Sequence, residues 1–155
     1  MLSVESLANV ILNNCSSVSN KKIQKLSYYV YAWHLAIYKT RIADMQFEAW
    51  EHGPVCRQLY NRYKCYGWNV IPEYQGFVLA CDRDIQFIQS VLKVYGNYTA
   101  DELEKISHDE APWLEAREGC EYDEASDAII LDSTMERFYS QQIDIKNSIL
   151  CNVDN

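Results

Sequence analysis

Apolar positions recur at steps of three and four through two N-terminal stretches. Val4, Leu7, Ala8 and Ile11 fall on one face of a helix near residues 4–14, with Ser3 placed to cap it. Beyond a polar loop from Asn13 to Asn20, the residues Ile23, Leu26, Val30, Trp33 and Ile37 mark a second helix over 21–38. Its opposite side carries Tyr28, Tyr31, Ala32 and Leu35. A helix that is apolar almost all round is covered by neighbours on both sides, so this one is predicted to be the centre of the fold.

Further along, Met45, Phe47 and Ala49 alternate as in a short strand ending near Trp50. His52-Gly53-Pro54 breaks that pattern, and Pro54 is predicted to open a third helix that runs to about Cys65 and ends near Gly67. Phe77 to Cys81 reads as another short strand. Asp82 is placed to cap a fourth helix with face Ile85, Ile88, Leu92 and Tyr95, and Gly96 to stop it in a left-handed conformation. Thr99 and Glu102 form a capping box for a fifth helix. Asp109 is the expected cap of a sixth, with Pro112 in its first turn. The acidic segment Glu118 to Asp127 reads as a solvated loop, Ala128 to Leu131 as a third short strand, and Met135, Phe138 and Tyr139 as a last helix. The expected class is mainly α, an α+β fold with a few short strands: a compact single-domain helical bundle around the buried helix 21–38.

Composition narrows the function. The 155 residues suit one domain with its own core. No apolar run is long enough to span a bilayer and no secretion signal opens the chain, so a cytoplasmic protein without a membrane partner is expected. The six cysteines are scattered, which favours free thiols over a disulfide framework or a zinc site, and no cofactor is expected. The five glycines lie too far apart for a phosphate-cradling loop. The net charge of −8 is unevenly spread: residues 1–81 hold eight basic and five acidic residues, residues 82–155 six and seventeen. An acidic second half repels phosphate backbones, which disfavours nucleic acid and suits either solubility or a basic protein partner.

Three places have side chains with chemical potential. Cys56 falls in the first turn of the predicted third helix, where backbone dipoles favour thiolate, and His52 lies upstream as a base; the competing reading is a small buried hydrophobe. His108-Asp109-Glu110 serves either acid–base chemistry or helix capping. Lys21, Lys22 and Lys25 stand at the positive end of the second helix, a conflict that needs carboxylates from a partner or from the chain's own second half. Trp33, Trp50 and Trp113 are expected to anchor the core, while Tyr60, Tyr63 and Tyr66 are freer to face a partner.

The ordered segments SNKKIQKLSYYVYAWHLAIY, FEAWEHGPVCRQLYNRY and YGNYTADELEKISHDEAPWLEAR resemble the signatures of the Panacea family, the SocA-like antitoxin domain. The residues that carry the resemblance are Lys21, Gln24, Lys25, Leu26, Tyr28, Trp33 and His34, then Glu48, Trp50, Gly53, Pro54 and Val55, then His108, Glu110, Pro112, Trp113 and Arg117. It spans roughly residues 5–140 and leaves 141–155 as a C-terminal tail; Ser27 departs from it, where the family often has an apolar residue. The resemblance implies a non-enzymatic antitoxin that neutralises a cognate toxin by protein contact, the toxin being in some relatives a small alarmone-synthetase-like enzyme or another translation-blocking protein. It also implies an alternative, a proteolytic adaptor that hands the bound toxin to a ClpXP-type protease; a cysteine enzyme using Cys56 is the rival from another class. The signature residues then serve mostly to hold the scaffold. Toxin contact is expected from Lys21, Lys22, Tyr60, Tyr63, Tyr66, Glu118, Glu121, Asp123 and Glu124, and from the less regular segments 69–76, 118–127 and the tail.

Overall fold

The second amphipathic stretch does become the centre of the molecule. In the computed structural model, which describes residues 1–154, helix α1 spans Val4–Asn14 and α2 spans Asn20–Tyr38. Ser3 caps α1 by accepting the Ser6 N–H at 3.0 Å, and Ser19 caps α2 by accepting the Lys22 N–H at 3.2 Å. A hairpin follows: β1, Glu48–Trp50, pairs antiparallel with β2, Gly53–Val55, with Ala49 opposite Pro54. Then come α3 (Arg57–Tyr63), a single 3-10 turn (Lys64–Tyr66), α4 (Asp82–Tyr95), α5 (Ala100–His108), α6 (Ala111–Ala116), α7 (Asp132–Ser140) and α8 (Ile143–Val153). With eight helices and one two-stranded hairpin among the described residues, the class is mainly α.

Helix α2 packs most extensively against α7 and is flanked by α1, α4, α5 and β2. Tyr28, Tyr29, Tyr31 and Trp33 are fully buried along it. Their polar tips are satisfied: the Tyr139 hydroxyl lies 3.1 Å from that of Tyr28, the Trp33 Nε1–H donates to Tyr95 at 2.9 Å, and the Tyr31 hydroxyl donates to Asp132 at 2.9 Å. Residues 128–130 run along the free edge of β1, with Ala49 N–H donating to Ala128 and Ile130 N–H to Phe47, both at 2.8 Å.

Several local expectations give way to tertiary geometry. Pro54 lies in β2 rather than opening a helix, and α3 begins three residues later with Cys56 at its N-cap. Proline fits there because Ala49, its cross-strand neighbour, sends its own N–H to Ala128 on the far side and asks nothing of residue 54. Of the strand expected at 45–50, only Glu48–Trp50 is paired, and 128–131 makes one bridge, between Ile129 and Glu48. Residues 77–81, expected as a short strand, alternate with Val78 and Ala80 against the core and Phe77 and Leu79 outward, but no strand pairs with them among the described residues. Cys81 rather than Asp82 holds the N-cap of α4, and Glu110 rather than Asp109 that of α6; Asp109 instead closes α5. Gly96 ends α4 at φ −65°, so its role is close approach: a Cβ there would lie 2.5 Å from the Leu92 carbonyl oxygen and 3.0 Å from Cys15 Sγ. The segment read as a tail contains α8, which packs on α4 and buries Ile149.

Candidate functional site

The lysines at the start of α2 meet carboxylates from the chain's own second half. Lys21 Nζ lies 2.6 Å from Asp101 and 2.5 Å from Glu104, both on α5. Lys22 is buried. Lys25 is 1% exposed, its ammonium donates to the Pro54 carbonyl at 3.2 Å, and no carboxylate of the described residues comes within ion-pair distance of it. Burial, reinforced by the charge of Lys21 and opposed by Glu104, draws its pKa down to about 7. Gly53 makes this burial possible. It adopts φ +102°, and a Cβ there would stand 2.5 Å from Lys25 Cε. Gln24 ties the hairpin to the same helix: its Oε1 accepts the Cys56 N–H at 3.0 Å while its Nε2 donates to Asn20 at 3.1 Å.

Over this buried lysine opens a groove of about 370 Å³, with Gln24 and Lys25 in its lining and the aromatic side chains of Trp50, Tyr60 and Trp68 around it. The rings of Trp50 and Tyr60 are 5.0 Å apart. Trp50 is anchored by its Nε1–H to Glu48 at 3.2 Å, and Glu48 in turn holds Arg57 in a fork at 2.6 and 3.0 Å. The chain leaves the groove at Trp68, and residues 67–81 keep Trp68, Val70, Phe77 and Leu79 exposed, while Ile71 plugs into the core and donates its N–H to Val18 at 2.8 Å.

The stretch from His108 to Arg117 braces the hairpin from behind. His108 stacks on Trp113 with ring centroids 3.9 Å apart, and its Nδ1 meets the Tyr122 hydroxyl at 2.7 Å. Its Nε2 is buried without a hydrogen bond, and burial holds its pKa below the usual histidine range despite Glu104 nearby. Trp113 donates to the Trp50 carbonyl at 2.9 Å. Arg117, 4% exposed, donates to the Ala49 carbonyl at 2.9 Å and to the carbonyls of Glu121, Tyr122 and Glu124, so one buried cation shapes the acidic loop through its backbone. The Glu110 carboxyl turns inward, accepting from Tyr29 at 2.6 Å and Tyr139 at 3.0 Å; burial pushes its pKa up to about 7. None of His108, Asp109 and Glu110 caps a helix through its side chain: two face the core, and Asp109 uses its backbone N–H.

The model of the antitoxin SocA-like Panacea domain matches residues 23–114, from the first turn of α2 into α6. The chain belongs to this family. No match to a curated protein or to a solved structure was found. The matched span contains most of the groove's floor and walls, including Gln24, Lys25 and Trp50, together with Gly53 against Lys25 and with His108 and Trp113 behind the hairpin; Lys21 and Arg117 lie just outside.

Within this Panacea domain Cys56 does not have the setting of an activated nucleophile. Cys56 is buried and its thiol is pushed up by that burial, the opposite of an activated thiolate, and His52 is engaged with Glu104 at 2.8 Å. Trp33 and Trp113 are buried anchors, as expected, whereas Trp50 is half-exposed in the groove. His34, at the far end of α2, contacts the Thr40 carbonyl at 2.6 Å and packs on Phe87. Of the residues expected to contact a toxin, Glu118, Glu121, Asp123 and Glu124 are exposed, and Tyr60 and Tyr66 partly so. Lys22 and Tyr63 are buried, because Tyr63 follows Leu59 on the core-facing side of α3. Sequence reasoning missed Trp68, Phe77 and Leu79 as surface groups, since an apolar side chain in an irregular stretch gives no sign of which way it faces.

Proposed function

We propose that this Panacea domain is a cytoplasmic antitoxin that neutralises a cognate toxin by binding it directly and covering its active surface. One observation carries the reading: residues 67–81 hold Trp68, Val70, Phe77 and Leu79 out to solvent, and Trp68 belongs to the lining of an aromatic groove. Several large apolar side chains exposed along one irregular segment are typical of a surface that a partner covers. The acidic loop 118–127, presented on the backbone contacts of Arg117, supplies a field for a basic toxin such as one that handles nucleotide or RNA.

Co-expression with the product of the adjacent reading frame tests this. Growth rescue with a stable co-purifying complex, unchanged by Cys56→Ser, supports a binding antitoxin. Inhibition of the purified toxin with no protease present separates occlusion from delivery to a ClpXP-type protease, which would need the protease. Rescue without a complex, lost in Cys56→Ser, would instead point to catalysis.

A further inference from the structure

The groove over α2 has an unusual charge for its setting. In a chain of net charge −8, its lining includes Lys21, Lys25 and Lys64 and no carboxylate. Lys21 is neutralised from outside the groove by Asp101 and Glu104. Lys64 makes no ion pair among the described residues, and the buried ammonium of Lys25 has one backbone carbonyl as its partner. A buried cation without a counter-charge is costly, and the fold could avoid it with an apolar residue of the same length. Around it stand the flat apolar walls of Trp50, Tyr60 and Trp68.

We infer that this groove receives a carboxylate side chain of the toxin, carried on a segment whose neighbouring apolar side chain lies against Trp50 and Trp68. The inference rests on the antitoxin reading and names the anchoring contact within it. Charge complementarity selects the occupant. An acidic side chain pairs with the exposed Lys64 and sets a negative charge over the buried Lys25, and the aromatic walls exclude water from that site, which strengthens the attraction. The groups facing Lys25 are Lys21 on its own helix, Glu104 and His108 on α5, His52 in the hairpin turn and Lys64 after α3. Because free Lys25 holds its proton weakly, seating a carboxylate beside it at pH 8 draws a proton from solvent.

The test is calorimetric titration of the full chain with the product of the adjacent reading frame at pH 8, in two buffers of different ionisation enthalpy. Wild type is expected to take up a substantial fraction of one proton per complex. Lys25→Met is expected to fold with equal or greater stability, to bind at least tenfold more weakly and to take up no proton. A lysine with a merely structural role would give the reverse, lost stability with unchanged affinity and uptake per folded molecule, and that result overturns the inference. Should Lys25→Met not fold, Lys64→Glu at the exposed edge decides: tenfold weaker binding supports the carboxylate anchor and unchanged binding overturns it. Absence of any complex with wild type would overturn the antitoxin reading itself, and the anchor with it.

Discussion

Ser27 shows how a single side chain can sit against the logic of its surroundings. It lies on the buried face of α2 with its hydroxyl unpaired, at the position where the sequence departs from the apolar preference of the Panacea signature. An unsatisfied buried hydroxyl costs about 1–3 kcal/mol, so Ser27→Ala is expected to raise the unfolding free energy by about 1 kcal/mol in urea titrations. Glu110 is a second case, with a pH signature. Its pKa rises from the ordinary 4.5 to about 7 in the tyrosine cluster, so the folded state holds this proton more tightly than the unfolded chain. The resulting stability is fully present below pH 4.5 and is lost as pH climbs through 7, on the order of 3 kcal/mol at most. Lys25 works with the opposite sign, adding stability as pH rises from about 7 toward 10.5. Comparison with Glu110→Gln isolates the carboxyl: wild type should lose stability relative to the variant between pH 5 and pH 8, and parallel curves would refute the assignment.

At the level of elements, α8 is the piece whose weight is easiest to measure. It covers α4 and buries Ile149, so a chain ending at Gln141 exposes that face. Loss of one buried isoleucine and its neighbours is worth about 2–4 kcal/mol, and the truncated protein is expected to melt roughly 10 °C lower by circular dichroism. α8 was invisible as such because Ile143, Ile145 and Ile149 give too short a periodicity to stand out from a polar terminus. Elements written in local chemistry were legible: the Ser3 cap, the Thr99–Glu102 capping box, and the long apolar face from Ile23 to Ile37. Those decided by distant chain were not. Pro54 became a strand residue because Ala49 bonds elsewhere, and 77–81 stayed unpaired because alternation alone cannot provide a neighbour. The groove was legible only in part. Lys25, Gln24, Trp50 and Gly53 stood out together through the family signature, yet the burial of Lys25 depends on the left-handed turn at Gly53, a contact made across 27 intervening positions.

For the molecule as a whole, charge governs how a partner arrives. The loop bearing Glu118, Glu121, Asp123 and Glu124 is exposed, so converting all four to their amides should slow association with a basic toxin roughly tenfold at low salt while leaving dissociation nearly unchanged. The difference should fade in stopped-flow measurements as salt approaches 1 M, where screening acts over about 3 Å. Packing sets a different limit, on timing. The central helix is complete by Tyr38, but the helix that covers it most extensively begins only at Asp132. A ribosome adding roughly 5–20 residues per second takes on the order of 5–20 s to cross that gap, and throughout it the tyrosine-rich face of α2 lacks its largest cover, although Phe47 and Tyr95 are made on the way. The domain therefore matures late in its own synthesis. For an antitoxin this means that protection comes from molecules finished earlier, and that a pause in translation leaves nascent chains unable to contribute.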